Sequence, residues 1–359
     1  MTARTFAGAA MGSPLRMTVV ADRDPAAAWH EVEAIFSAVA QVLTRFDRAS
    51  ALSALNVRAG SGAWVDAPPL LRAALVLARR AQVQTDGTFD PRIILALEEA
   101  GERAGIELPA TRCAPGDPWL EIAGHRVRLA AAVDLGGIGK GLALRLAARA
   151  LAKRGASALI DAGGDLVMVG RPDDGPMWRI AIEDPRGGAI PLVGFEIAEG
   201  AVATSSTAVR RWEHAGRIAH HLIDPRTGRP AQGGLVSVTV AGPDPVWAEV
   251  YAKALLIEGR RTIRATSERL RLAAWWVTDN GVVDRSPRAA ALERFGPPRV
   301  LAVEPRDTAV LSTFARSVRL PASTPTSTQP MPTLRSGLVE GRRRCLDAGG
   351  AKRRSSPRR

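Results

Sequence analysis

The segment Val133-Asp134-Leu135-Gly136-Gly137-Ile138-Gly139-Lys140-Gly141 carries the reading of this chain. Ahead of it, apolar residues running to Val133 read as a strand. Behind it, Ala143, Leu146, Ala147, Ala150 and Leu151 recur at helical spacing, and Arg154-Gly155 closes that helix. The glycines let backbone come close to a ligand. Free N–H groups at a helix start, aided by the helix dipole, attract an anion, typically a phosphate. The segment is not a P-loop, which needs glycine where Asp134 stands and Ser or Thr where Gly141 stands. Glycines alone are equally compatible with a turn made only for packing. Lysine usage tips the reading, because only four of the 49 basic residues are lysines (Lys140, Lys153, Lys253 and Lys352). In so arginine-biased a chain, a lysine in a glycine loop points to a compact ammonium reaching where a guanidinium is too wide.

Working outward, Met17 to Ala21 reads as a strand, and residues 26 to 46 carry Val32, Ile35, Phe36, Val39, Val42, Leu43 and Phe46 at helical spacing. A helix follows from Pro68 to Gln84, ended by Thr-Asp-Gly at 85 to 87. Residues 119 to 133 suggest a hairpin through Ala123-Gly124. Ser157 to Ile160, Leu166 to Val169, Trp178 to Ile182 and Leu235 to Ala241 read as strands. Val246 to Glu258 and Thr262 to Leu270 read as helices, and Ala273 to Val277 pairs with Val282 to Arg285 across Asp279-Asn280-Gly281. No repeat with a period of about 20 to 50 residues is visible.

The chain has 359 residues, 46% of them apolar, enough for a substantial core. Its net charge of +13 hints at nucleic acid, but residues 306 to 359 hold twelve Lys/Arg against three acids, leaving the rest near +4. That segment is rich in Ser, Thr, Pro and Arg. It cannot offset a chain entropy of about 1 to 2 kcal/mol per residue, so a disordered basic tail is expected. The domain proper is expected at 1–305. Two distant cysteines, Cys113 and Cys345, and no apolar run of about 20 residues imply a reducing, cytoplasmic setting without a membrane span.

Four further groups hold chemistry. His214, His220 and His221 fall within eight residues of each other, and the adjacent pair must point to opposite faces of a strand. At most one of that pair faces a site, as a base or ligand contact; core and surface placement is the alternative. Ala203-Thr204-Ser205-Ser206-Thr207 taken alone suggests a loop or helix cap. Thr85 to Arg92 sets Asp86 and Asp90 around Phe89, compatible with a plugged turn. Glu249 and Lys253 lie one helical turn apart, and a surface ion pair would explain them.

Taken in order, MGS (11–13), LTRFDRASALSALN (43–56), TDGTFDP (85–91), VDLGGIGKG (133–141), LIDAGGDLVMVG (159–170), ATSS (203–206), HHLIDPRTGRP (220–230), and SVTV (237–240) followed by AEVYAKALLIEG (248–259) resemble the ApbE family of FAD:protein FMN transferases. The resemblance spans about residues 10 to 260 and rests on the series rather than on any one motif. It implies an α+β, two-layer fold with mixed or antiparallel sheets and helices packed around a flavin cleft. It also implies cleavage of FAD at its pyrophosphate, with FMN passed to a Thr or Ser hydroxyl of a target protein and AMP released. Met11, Phe46 (where many relatives have Tyr), Thr88, Phe89, Asp90, Asp134, Lys140 and Ile223 would then contact FAD. His221, Lys140, Thr204 and Ser205 would serve the chemistry, His221 taking the proton of the attacking hydroxyl. Gly137, Glu249 and Lys253 stand at the positions implied for a magnesium ion.

Three departures bear on that expectation. The family's metal helix reads roughly Ala-Asp-x-x-Ala/Asp-Thr, whereas here Glu249 replaces the aspartate and Lys253 the hydroxyl. An ammonium a few ångströms from magnesium is repelled by about 1 to 4 kcal/mol or more at dielectrics of 80 to 20. Lys253 therefore either swings away or takes the ion's place. Ser206 stands where relatives have glycine, and Arg92 where they often have threonine. A flavin-sequestering protein without transfer, an FAD pyrophosphatase using water, and a nucleic-acid binder resting on charge alone are the competing readings. Against the last, aromatic residues at 4% offer few stacking platforms.

Overall fold

The computed structural model describes residues 3–102, 105–114 and 116–295, all within a unit running from 1 to 303. The tail expected at 306–359 lies outside the described residues. Among the described residues no helix is long and apolar enough to cross a membrane.

Eight strands form the main sheet: β1 (Arg4–Ala10), β2 (Ser13–Ala21), β3 (Ser157–Ala162), β4 (Asp165–Val169), β5 (Gly200–Ser206), β6 (Leu235–Gly242), β7 (Ala273–Thr278) and β8 (Val283–Arg285). They lie side by side in chain order, each antiparallel to the next. Side chains alternate between the two faces of such a sheet. Leu15, Met17, Val19, Ala158, Ile160 and Val167 enter the core on one face, while Val20, Met168, Val202 and Trp275 enter a second cluster on the other. Each large apolar side chain so buried contributes about 1.5–3 kcal/mol.

Helices cover the first face. They are α1 (Pro25–Leu43), α2 (Pro69–Gln84), α3 (Gly139–Arg154) and α4 (Pro245–Glu258). The carboxylates of Asp24 and Asp244 accept the first free N–H groups of α1 and α4, and each helix opens on a proline. Gly155, at φ 70°, closes α3 in the left-handed conformation that glycine tolerates best. α3 packs on α1, α4 and β4, and α4 crosses β5 and β6. α4 is apolar nearly all round, with Ala248, Val250, Ala252, Leu255 and Leu256 buried, so even its polar residues are drawn into the interior. On the opposite face a three-stranded sheet, Trp178–Ile182, Val193–Ile197 and Glu293–Phe295, packs through Phe195, whose ring stacks on Trp275 with centroids 4.4 Å apart.

Most expected elements are present within a residue or two, including the hairpin of Leu120–Ala123 with Arg126–Leu129. Three readings need correction. No strand leads into the glycine loop: the backbone at Val133 is irregular. The buried Asn56 takes the partner strand's place there, its Nδ2 donating to the Val133 carbonyl at 2.8 Å and its Oδ1 accepting the Val133 N–H at 2.9 Å. Thr204-Ser205-Ser206 is no loop but the end of the central strand β5, which read poorly because Ala, Ser and Thr give little apolar alternation. The first helix ends at Leu43, which leaves Phe46 outside it and 53% exposed.

Candidate active site

The glycine loop is shaped by one carboxylate. Asp134 Oδ1 accepts the Gly136 N–H at 2.8 Å, and Oδ2 forms an ion pair with the Arg45 guanidinium, 2.6 Å from its Nε. Arg45 is almost fully buried and reaches a second acid, Glu102 Oε1, at 3.2 Å; Glu102 also pairs with Arg210. Burial pushes the Glu102 pKa up, and the neighbouring Asp134 adds to the rise against the pull of Arg210 and Arg45. Gly137 has no room for a side chain, since a Cβ there would meet the Phe89 ring at 2.6 Å. Gly141, in the first turn of α3, likewise lies against the start of α4, and its N–H donates to Glu249 Oε2 at 2.9 Å.

Behind the loop sits a cluster of buried charge. Lys140 pairs with Asp165 on β4, whose other oxygen accepts the Thr204 N–H at 3.2 Å. The Thr204 hydroxyl meets that of Thr239 at 2.9 Å. Burial works against the Lys140 ammonium, but Asp165 and Glu249 outweigh it and hold its pKa above the ordinary lysine value. Glu249 is 3% exposed, and Lys253 Nζ stands 3.6 Å from its Oε1. The surface pair expected here is therefore an interior one, because α4 crosses the sheet with both residues on its covered side. Burial pushes the Glu249 pKa up, an effect only partly opposed by Lys253 and Lys140.

The histidines divide as their alternation requires. The strand Arg217–His220 ends with His220 turned away, its Nε2 at 3.1 Å from the Ala231 carbonyl. His221 faces the loop. Its Nδ1 lies 3.4 Å from the Arg210 carbonyl, which can only accept, so Nδ1 carries the hydrogen and Nε2 the lone pair. Burial, then the nearby Lys253 and Arg210, push its pKa down to about 3.

Some of these groups line one pocket. Asp134, Gly136 and Gly137 of the loop meet His221, Leu222 and Ile223, with Phe46, Thr88, Phe89, Asp90, Arg45, Arg210 and Lys253 completing the wall. The enclosed space is about 90 Å³, below the roughly 300 Å³ at which ligand clefts begin. A dinucleotide in it would extend over the rim, where the exposed Phe46 stands with Arg45 over its ring at 4.3 Å. Asp90 reaches the wall with its oxygens already engaged by Arg92 and by Gln82 Nε2 at 2.8 Å. Lys140, Thr204, Ser205 and Glu249 are not on the pocket wall. Lys140, Thr204 and Glu249 belong to the charge cluster, which meets the pocket at Lys253, and Ser205 is the buried residue after Thr204 on β5. Met11 stands in the turn between β1 and β2 at φ 51°, its Cε 3.0 Å from where a Cβ on Gly139 would lie. Sequence reasoning missed Arg45, Glu102, Arg210 and Asp165, all charged residues in surface-like contexts. The only local signal was Arg45 and Asp165 lying inside quoted motifs. A more open groove of about 1050 Å³ beside Arg217, Arg229 and Arg261 holds none of His221, Lys140 or Glu249.

This donor set does not fit magnesium, which takes near-octahedral oxygens at about 2.0–2.1 Å. One Glu249 oxygen is occupied by the Gly141 N–H and the other faces an ammonium, while Asp165 is held by Lys140 and the Thr204 N–H. Among the described residues no group of three or more His, Cys, Asp or Glu is placed to hold a metal.

A family model described as the ApbE family matches residues 11–276. The FAD:protein FMN transferase of Rhodobacter capsulatus is 31% identical over 280 residues, 72% of this chain and 53% of that protein. That of Treponema pallidum is 31% identical over 282 residues, 69% of this chain and 77% of the relative. This chain thus spans about half the length of the Rhodobacter relative. Among solved structures, the ApbE protein of Thermotoga maritima superposes with a TM-score of 0.74 at 25% identity, covering 82% of this chain and all of that one. The flavinyl transferase ApbE of Pseudomonas stutzeri gives 0.71 at 26% identity, covering 82% and 98%.

Proposed function

We propose that this chain, which belongs to the ApbE family, is an FAD:protein FMN transferase that cleaves the FAD pyrophosphate and passes FMN to a Thr or Ser hydroxyl of a target flavoprotein. The observation that carries this reading is that Asp134 to Gly137 and His221 to Ile223, nearly 90 residues apart in sequence, wall the same pocket beside Lys253. The Lys253 ammonium beside a glycine loop that lets backbone approach closely suits a diphosphate. Phe89 and Phe46 offer ring faces to a flavin, and Ile223 an apolar floor. We place Thr88, Asp134, Met11 and Gly137 in positioning roles around the substrate. Asp90 acts through Arg92 and Gln82 rather than directly.

In the reaction, the acceptor hydroxyl oxygen bonds to the FMN phosphorus as the bond from that phosphorus to the bridging oxygen breaks. The electron pair of that bond leaves with AMP. The hydroxyl proton passes to His221 Nε2, the lone-pair nitrogen. A pKa of about 3 keeps that nitrogen free of a proton at neutral pH but makes it a weak base in the empty site. The negative charge of a bound diphosphate shifts it back toward the useful range. Base assistance of this kind is worth roughly 10² to 10⁴-fold. Lys140 holds Asp165 and, through it, the Thr204 backbone, fixing the end of β5 beside the site. Two cysteines far apart in sequence support a reducing compartment, and we read the enzyme as cytoplasmic.

The test is incubation with FAD and an acceptor domain taken from a target of a homologous transferase, with AMP quantified and the acceptor followed by in-gel flavin fluorescence. AMP and a fluorescent acceptor are expected together, with His221→Ala lowering both by roughly 10²-fold or more. FMN released into solution in the absence of acceptor points instead to a pyrophosphatase. Tight FAD binding with no AMP under any condition means a flavin-sequestering protein.

A further inference from the structure

We infer that Lys253 supplies, at the diphosphate, the positive charge that a divalent metal would otherwise bring, so that FMN transfer by this chain proceeds without magnesium. The inference rests on the transferase reading above.

Two observations carry it. First, Lys253 has not swung away. Its side chain is 16% exposed, its Nζ lies 3.6 Å from Glu249 Oε1, and a Cβ on Gly137 would touch its Cδ at 3.4 Å. The ammonium is thus held between α4 and the glycine loop, on the wall of the pocket that also contains His221. Turning α4 to remove it is opposed at Gly141, where the backbone of Pro245 and Val246 already leaves no space for a methyl group.

Second, the ammonium is not saturated. Among the described residues its nearest carboxylate oxygen is beyond hydrogen-bond distance, whereas Glu249 is engaged by the Gly141 N–H and Lys140 by Asp165. Lys253 therefore keeps donors for a non-bridging phosphate oxygen, and no carboxylate pair is left to chelate an ion. As the acceptor oxygen bonds to the FMN phosphorus and AMP departs with the bridging oxygen, negative charge stays on the non-bridging oxygens. A fixed ammonium in a water-poor site stabilises that charge without reorganising at the moment of reaction. Lysine does this as a point charge, as it does for phosphates elsewhere.

The experiment measures AMP release from FAD with the acceptor domain in EDTA and in millimolar magnesium, alongside a Mn²⁺ titration by electron paramagnetic resonance without FAD. We expect equal rates in the two conditions and no Mn²⁺ bound to the wild-type protein. Lys253→Met is expected to lower the EDTA rate roughly 10² to 10³-fold, with an unchanged near-ultraviolet circular dichroism spectrum as the folding control. Lys253→Thr is expected to bind Mn²⁺ and to recover rate only when metal is added. Rates abolished by EDTA and restored by magnesium in the wild-type protein overturn this inference alone, as does stoichiometric Mn²⁺ binding. Absence of AMP in both conditions overturns the transferase reading and the inference with it.

Discussion

Gly141→Ala is the substitution for which the fold makes its sharpest demand. A Cβ at this position would lie 2.7 Å from the Pro245 carbonyl oxygen, 2.8 Å from Val246 Cα and 3.0 Å from Glu249 Oε2. Ordinary contact begins near ~3.5 Å, so α3 and α4 must part by several tenths of an ångström, and two of the three opposing atoms are backbone that cannot turn aside. Overpacking of this kind costs about 1–3 kcal/mol. Parting the helices also stretches the 2.9 Å bond from the Gly141 N–H to the buried Glu249 carboxylate, and a hydrogen bond to a charged group contributes about 1.5–3 kcal/mol. Alanine returns at most about 1 kcal/mol through its better helix propensity. The net expectation is a loss of about 1–3 kcal/mol, a fall in Tm of about 2–4 °C for each kcal/mol. Urea unfolding with an unchanged m-value measures it, and AMP release reports the displacement of Glu249 and Lys253. A Gly141→Ala protein that melts at or above the wild-type temperature refutes the close approach of the two helices, because propensity would then be acting alone.

Two further expectations follow from the same geometry. Asn56→Ala strands the Val133 N–H and carbonyl in the interior; at about 1–3 kcal/mol for each buried group left unsatisfied, unfolding free energy should fall by a few kcal/mol and FAD affinity with it, and an unchanged urea midpoint would show that Asn56 does not hold the loop. His221 has its pKa lowered from 6.5 to about 3, so the folded state prefers the neutral ring: its contribution is fully present above the unfolded value and is lost as pH falls from 6.5 towards 3. A His221→Gln protein should therefore lose stability less steeply than wild type across that window, and parallel curves would count against a buried neutral imidazole.

Much of the architecture is legible in local pattern. The helical spacing of Ala143 to Leu151, the Gly155 stop, the alternation of Ser157 to Ile160 and the Asp-Asn-Gly turn each report forces acting within a few residues. What the pattern misreads is where tertiary partners replace local ones. Val133 looks like a strand end because it is apolar, yet a single asparagine 77 residues away supplies its hydrogen bonds. Thr204 and Ser205 look like loop residues because they are small and polar, yet β5 is a central strand paired on both sides by β4 and β6.

For the site itself, residue order alone determined the family and that at most one of His220 and His221 could face a shared pocket. These depend on chain geometry over one or two turns, which any fold must obey. The sequence could not say whether Lys253 points into the site, that Arg45 bridges Asp134 to Glu102, or that Lys140 is bound to Asp165. Those depend on which faces of α3, α4 and the sheet meet. That is set by close packing over the whole core, where a glycine at 141 lets two helices touch and so buries a carboxylate behind the pocket and brings an ammonium to its wall.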